Sequence, residues 1–84
     1  KQEYIDVLLY SIKKNSYIVV QIKNDELNKE YLEEIKKSMH YIDKKVKTNK
    51  ENKTEGIIIG KYNEKYQIIF TSNSNIIMNK NIKY

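Results

Sequence analysis

Apolar and polar positions form short blocks at the start of the chain, and two of these blocks predict strands. The run at residues 4–10 is apolar and β-prone, interrupted only by Asp6, and a second such run covers residues 17–23. A polar, turn-like segment at residues 11–16 separates them, as in a β-hairpin. The pattern therefore predicts an antiparallel pair of strands before residue 24.

A helical periodicity follows from about Lys29 to Lys45. A lysine- and asparagine-rich segment at residues 48–54 then predicts a solvated loop. The periodicity predicts one amphipathic helix that packs by a single face. The apolar side chains that keep the three- and four-residue spacing of that face are Tyr31, Leu32, Ile35, Met39, Ile42 and Val46.

Residues 56–60 are wholly apolar, which is typical of a strand covered on both faces. A turn is predicted at residues 63–65, a further strand at residues 66–71 and a short strand at residues 82–84. The helix between the second and third strands predicts that those two strands lie parallel. We therefore expect an α/β domain with a small mixed β-sheet and one crossover helix, in the order β-β-α-β-β.

Composition narrows the function classes only slightly. The 84 residues allow one small domain, and there is no cysteine for disulfides or thiolate chemistry. No apolar run approaches the roughly 18 residues of a membrane span, so we expect no membrane partner and a cytoplasmic location. The net charge of +5 favours a polyanion such as DNA, although a general bias toward lysine, asparagine and isoleucine weakens this inference. Because the first residue is Lys1, we also expect a longer parent chain.

Three polar side chains fall on one face of the predicted hairpin. Alternation along the second strand places Gln21 and Lys23 on the same side, and pairing of Ser11 with Ser16 sets Asp6 opposite Gln21. Opposed Cβ atoms in such a pair are roughly 5 Å apart. Charges within strands are costly unless they are paired or bind a metal, so this cluster is a candidate site.

The helix adds a fourth candidate residue. With Ile35 at the centre of the buried stripe and a turn of about 100° per residue, Glu34 falls at the edge of the stripe. Glu33 falls nearly opposite, towards solvent. Of the two adjacent glutamates, only Glu34 is therefore predicted to reach the sheet.

Each candidate also has an ordinary structural interpretation. Asp6 and Lys23 could form an ion pair near a strand end, and Gln21 could complete a hydrogen-bond network. Glu34 could belong to a solvated helix surface. The single histidine, His40, is predicted to lie away from the apolar stripe, which favours a surface role over a catalytic one.

The spacing of Asp6, Gln21 and Lys23, with the helix that follows, resembles the PD-(D/E)xK nucleases and most closely their YhcG-type domain. That family has a strand similar to residues 4–10, then a strand that ends in Glu-x-Lys. A helix that opens similarly to Glu30-Tyr31 comes next, and then a glycine-initiated apolar strand such as that beginning at Gly56.

The resemblance covers residues 4–61 without an obvious gap and extends loosely to residue 84. It implies a restriction-endonuclease-like core. Such domains usually carry a helix and a strand ahead of the aspartate strand, and we expect both to be absent from this chain.

The chain departs from the family pattern at two positions that look exchanged. Gln21 stands where the family has the strand glutamate, and Glu34 stands where it tends to have a glutamine early in the helix. One interpretation is that the carboxylate has moved to the helix and the site is active. The alternative is a decayed site, which leaves a catalytically inactive module that binds DNA or a protein partner.

The resemblance implies a metal-dependent DNA endonuclease of the restriction, repair or recombination type, with Mg²⁺ or Mn²⁺ as cofactor. Asp6 would bind the metal, together with Glu34 or the side-chain carbonyl of Gln21, and Ile22 would offer its main-chain carbonyl. Lys23 would orient or help deprotonate the attacking water, or neutralise phosphate charge.

Two further expectations stay open at the level of sequence. Many nucleases of this kind act as dimers, so a homodimer is expected by resemblance, although no residue identifies an interface. A lysine-rich α/β fragment without a role on nucleic acid is the third hypothesis. Unlike the nuclease and the inactive binding module, this hypothesis predicts weak polyanion binding that does not depend on Asp6 or Lys23.

Overall fold

The computed structural model describes residues 5–73, which form one sheet and one helix. The predicted order β-β-α-β-β is confirmed, and the helix has the bounds that its periodicity predicts. The short strand predicted at residues 82–84 lies outside the described residues. The elements are β1 (Val7–Ser11), β2 (Ser16–Ile22), α1 (Lys29–Lys45), β3 (Glu55–Tyr62) and β4 (Lys65–Thr71).

The four strands form a mixed sheet in the spatial order β1-β2-β3-β4. β1 and β2 pair antiparallel with Ser11 opposite Ser16, which confirms the predicted register. β2 and β3 pair parallel, so α1 makes the predicted crossover. β4 returns antiparallel to β3 through a turn at Asn63 and Glu64, whose φ angles are 55° and 67°. Because β2 and β3 are parallel, their carboxyl ends lie at the same edge of the sheet.

The start of α1 is fixed by a side-chain cap. Asn28 has an extended backbone, and its side-chain oxygen accepts a hydrogen bond of 3.0 Å from the main-chain N–H of Tyr31. The helix ends at Lys45, where the N–H groups of Val46 and Lys47 both bond to the carbonyl of Ile42. Among residues 5–73, no helix is long and apolar enough to cross a bilayer.

The core lies between α1 and one face of the sheet. Ile35 and Ile42 of the helix are buried against Val19 of β2 and Ile58 of β3. Gly56 of β3 allows the helix to come close, since a Cβ atom there would lie 2.8 Å from the Ile35 side chain. The absence of a side chain at Gly56 therefore allows α1 to lie close to the sheet.

The prediction that the third strand is covered on both faces is wrong for the part of the chain described. Burial alternates along β3, with Gly56, Ile58 and Gly60 buried and Ile57 and Ile59 only half-buried. The described helix covers one face alone, which leaves the opposite face partly open. A run of isoleucines does not distinguish a strand covered on both faces from a strand covered on one face, because β-branched residues also suit a half-buried pleated surface.

Candidate functional site

Asp6 lies immediately before β1 rather than within a strand. The prediction placed it inside the first strand, but β1 begins at Val7 and the chain bends at Asp6. The Asp6 carboxylate accepts a hydrogen bond of 2.8 Å from the main-chain N–H of Ile22. It thus takes the part of the main-chain carbonyl that would otherwise continue the hydrogen bonds between β1 and β2. The exposed Asp6 carboxylate is therefore fixed at the carboxyl end of β2.

Lys23 and Glu34 form an ion pair between the end of β2 and the second turn of α1. The Lys23 Nζ atom lies 2.9 Å from Glu34 Oε1, and the two side chains are 22% and 48% exposed. The main chain of Lys23 is held as well, since its N–H donates to the carbonyl of Ile59 over 2.8 Å. The helix geometry predicted that Glu34 would reach the sheet, and this contact confirms it. The ion pair suggested for Lys23 with Asp6 is wrong, because Glu34 is the partner.

Gln21 and the side chains of the ion pair lie in different environments. Gln21 is only 2% exposed, and its Nε2 atom lies 3.5 Å from the Ser38 hydroxyl oxygen on α1. This contact fits the hydrogen-bond-network interpretation of Gln21. Of the two candidate side-chain ligands other than Asp6, Glu34 is therefore the one open to solvent.

Two residues near Lys23 were not identified as site residues from the sequence. The Lys23 ammonium lies 4.5 Å from the centroid of the Tyr31 ring, and the Tyr31 hydroxyl donates a 2.7 Å hydrogen bond to Asp25 Oδ1. The hydrogen bond to Asp25 raises the pKa of Tyr31, and partial desolvation and the Asp25 charge add to it. Helical spacing contained a signal for Tyr31, since it precedes Glu34 by three residues and shares its side of α1.

The donor atoms suit a hard divalent cation, although they do not make an all-protein cage. Within residues 5–73, no three His, Cys, Asp or Glu side chains lie close enough together to hold a metal ion. Mg²⁺ is usually bound by one or two carboxylates, with waters and substrate phosphates completing its coordination. Asp6, bonded to the Ile22 main chain, and Glu34, paired with Lys23, would supply carboxylates of that kind.

The remaining candidates are separate from this site. His40 is exposed, in agreement with the prediction that it points away from the apolar stripe. Lys14 forms an ion pair of 3.4 Å with Glu55, at the opposite ends of β2 and β3 from Lys23. The four side chains predicted as site residues, by contrast, have their contacts near the carboxyl end of β2 or on the facing helix.

Comparison with known proteins identifies a family for this chain. The family model of the YhcG PDDEXK nuclease domain matches residues 1–82, which is nearly the whole chain. No curated protein and no solved structure gives a significant match. The mixed sheet, with its helix between β2 and β3, is consistent with a restriction-endonuclease-like α/β fold. The resemblance inferred from the sequence is confirmed, and the chain belongs to the YhcG PDDEXK nuclease domain family.

Proposed function

We propose that this domain is a metal-dependent DNA endonuclease that hydrolyses phosphodiester bonds. Family membership implies a nuclease-type function, and nucleases of this class generally depend on a divalent metal. The observation that supports the proposal most directly is the Lys23–Glu34 pair at 2.9 Å, one residue beyond the Ile22 N–H that fixes Asp6. A cation and one carboxylate are thus paired beyond the end of β2, and a second carboxylate is bonded to the neighbouring main chain.

Each residue of the site has a distinct task in this proposal. Asp6 and Glu34 would hold Mg²⁺ or Mn²⁺, with the main-chain carbonyl of Ile22 as a further oxygen donor. The bound metal would supply Lewis-acid stabilisation of the phosphate and of the leaving oxygen. Lys23 would donate hydrogen bonds to a phosphate oxygen or to the attacking water, since its ammonium carries three donors.

In this proposal Gln21 supports the structure of the site and does not bind the metal. Its side chain is buried beside Ser38, so it joins β2 to α1 beneath the ion pair. We therefore propose that the carboxylate of the strand motif has been replaced functionally by Glu34, which comes from the helix.

The test is cleavage of labelled duplex and branched DNA by the purified protein with Mg²⁺ or Mn²⁺. Metal-dependent cutting is expected, and it should be lost in Asp6→Asn and in Lys23→Ala. Lys14→Ala is the matched control, because Lys14 also pairs with a glutamate but lies away from the site. Cutting that survives in Asp6→Asn and Lys23→Ala would overturn the assignment of these residues.

One observation favours the second candidate, a catalytically inactive module that binds DNA or a protein. Both carboxylates already have protein partners, Asp6 through Ile22 and Glu34 through Lys23, and the strand motif has Gln21 in place of glutamate. This alternative expects no cutting, and DNA binding that is unchanged by Asp6→Asn. The enzyme proposal expects Mn²⁺ binding that depends on Asp6, so one titration separates the two.

We expect the proposed enzyme to act on DNA in the cytoplasm. The sixteen lysines, against eleven acidic residues, give the positive balance that a DNA-binding domain uses to approach phosphates. A homodimer and a contribution from further parts of a parent chain are also expected. Sedimentation of the protein with and without DNA tests the expected dimer.

A further inference from the structure

The Lys23 ammonium is held from two sides. Glu34 binds it from one side at 2.9 Å, and the face of the Tyr31 ring lies 4.5 Å away on another. A cation above an aromatic face is attracted by the ring's quadrupole, more strongly when the pair is partly shielded from water. A lysine normally has many side-chain conformations available, so these two contacts together restrict where its charge can lie.

The ring of Tyr31 is itself anchored at both ends. Its main-chain N–H bonds to the Asn28 cap over 3.0 Å, and its hydroxyl donates to Asp25 Oδ1 over 2.7 Å. The ring also packs against the core cluster. Rotation of the ring away from Lys23 would therefore break the bond to Asp25.

Asp25 is held by the third strand. Its main-chain carbonyl accepts a hydrogen bond of 3.1 Å from the N–H of Lys61. Gly60 makes that approach possible, since a Cβ atom at this position would lie 2.7 Å from the Asp25 carbonyl oxygen. A continuous set of contacts thus runs from β3 through Asp25 and Tyr31 to the ammonium of Lys23.

We infer that Tyr31 and Asp25 are positioning residues that hold the Lys23 ammonium in the orientation needed for phosphodiester chemistry. This inference rests on the proposed function, because the orientation matters for cleavage only if Lys23 acts on the scissile phosphate. The competing explanation is that the Tyr31 ring only fills the edge of the core. The two explanations differ in what happens to Lys23 when the ring is replaced by an aliphatic side chain.

The chain offers a matched control for this arrangement. Lys61 lies above the Tyr66 ring, 5.4 Å from its centroid, and the Tyr66 hydroxyl donates a 2.6 Å hydrogen bond to Asn24 Oδ1. This arrangement resembles that of Lys23, Tyr31 and Asp25, but a neutral amide replaces the carboxylate, and Lys61 of β3 faces Tyr66 of β4. Lys61 takes part in the positioning contacts only through its main-chain N–H, so Tyr66→Leu removes a comparable cation–ring contact and keeps the side-chain contacts of Lys23, Tyr31 and Asp25.

The first experiment measures the position of Lys23 without reference to cleavage. In an NMR spectrum of the wild-type protein, the side-chain Hε protons of Lys23 should be shifted upfield by the Tyr31 ring. Tyr31→Leu should return them to the values of a free lysine, and Tyr66→Leu should leave them unchanged. Unchanged Lys23 shifts in a folded Tyr31→Leu protein would overturn the inference.

Two milder variants keep the inference testable if Tyr31→Leu does not fold. Tyr31→Phe keeps the ring but loses the bond to Asp25, and Asp25→Ala loses the same bond from the other side. Both should reduce the upfield shift of the Lys23 protons by a similar amount. A full wild-type shift in both variants would show that Asp25 does not position the ring.

The second experiment measures cleavage under saturating metal. Tyr31→Leu should lower kcat by about 10- to 100-fold, the order expected for a reacting group displaced by roughly 1 Å, with little change in KM. Tyr31→Phe, which keeps the ring without the bond to Asp25, should give a kcat between those of Tyr31→Leu and the wild type, and Tyr66→Leu should keep the wild-type value. An equal loss in Tyr31→Leu and Tyr66→Leu would contradict positioning. A wild-type protein that does not cut would overturn the proposed function, while the NMR result alone would then support or overturn the positioning of Lys23.

Discussion

The Lys23 ammonium and the Glu34 carboxylate lie 2.9 Å apart and join the end of β2 to α1. Glu34 is therefore the acidic residue of the helix that faces the site, whereas its neighbour Glu33 is exposed without a described contact there. In this family member the carboxylate beside the lysine comes from the helix, not from the strand position held by Gln21. The proposed exchange of carboxylate and amide has consequences that can be measured one residue at a time.

Replacement of Glu34 by glutamine should weaken metal binding. Glu34→Gln keeps the size of the side chain and removes its charge, so we expect Mn²⁺ affinity to fall by about tenfold or more. Glu33→Gln removes the same charge one residue away and should leave the affinity near the wild-type value. Isothermal titration of Mn²⁺ into both variants provides the measurement.

Gln21→Ala is the companion variant in the same titration. Gln21 is buried beside Ser38, so its truncation should lower the free energy of unfolding while Mn²⁺ affinity stays closer to wild type than in Glu34→Gln. Urea unfolding of the variant separates the stability effect from the binding effect. Equal losses of affinity in Glu34→Gln and Gln21→Ala would rule out the exchange of the carboxylate.

Two substitutions of Asp6 distinguish its structural hydrogen bond from the charge proposed to act in cleavage. Asp6→Asn keeps a side-chain oxygen that can accept the Ile22 N–H, so the free energy of unfolding should change little. Asp6→Ala removes the acceptor and should cost about 0.5 to 1 kcal/mol, since the site is exposed and water can replace part of the bond. Cleavage should be lost in both variants.

The control for Asp6 is Asp43, whose carboxylate accepts the main-chain N–H of Thr54 over 3.0 Å, away from the site. Asp43→Asn should keep the wild-type rate of cleavage. Cleavage assays and urea unfolding on the same samples of each variant give both quantities. Full activity in Asp6→Asn would mean that the Asp6 charge has no part in the reaction.

The sequence predicted the parts of this fold that depend on periodicity. The Ser11–Ser16 register followed from a four-residue loop and the alternation of two β-prone runs. The choice of Glu34 over Glu33 followed from a turn of about 100° per residue around Ile35. Both features are local, so a single sequence contains the information that determines them.

The parts that escaped prediction depend on contacts between distant segments. The bend at Asp6 and the pairing of Lys23 with Glu34 required the strand ends and the helix to be placed relative to each other. The position of Asp25 depends on the missing side chain of Gly60, 35 residues further along the chain. Alternation predicts which face a strand residue occupies, but not the path of a loop that follows the strand.

Gly60 should therefore be sensitive to substitution. In Gly60→Ala the new Cβ would lie 2.7 Å from the main-chain carbonyl oxygen of Asp25 and closer still to Ile69 Cδ1, so the backbone must shift. We expect a loss of about 1–3 kcal/mol in the free energy of unfolding. The Lys23 Hε protons should also move towards free-lysine values, because Asp25 can no longer hold Tyr31.

Gly56→Ala is the matched comparison for Gly60→Ala. Its Cβ would meet the Met39 sulfur at 2.6 Å, which is the far end of a flexible side chain, and the Ile35 side chain at 2.8 Å. The flexible Met39 side chain can adjust to this contact more easily than a main-chain carbonyl can, so the loss of stability should be smaller. The Lys23 protons should stay in place. Chemical denaturation and NMR of both variants test the contrast, and the reverse order of stabilities would contradict it.

The pKa of Tyr31, measured in a pH titration, should depend on its contact with Asp25. The hydrogen bond to Asp25 is the largest cause that raises the pKa of Tyr31 above its ordinary value of 10.0. In the folded protein the phenol keeps its proton where the unfolded chain has lost it, so folding binds more protons in that interval. The stabilising contribution of Tyr31 is therefore complete below pH 10.0 and is lost as pH rises through the folded pKa. In Asp25→Ala, which removes both the acceptor and the charge, the Tyr31 titration, followed by the ¹³Cζ resonance, should move back towards the ordinary value. A Tyr31 midpoint that stays high in Asp25→Ala would show that Asp25 is not the residue that holds the ring beside Lys23.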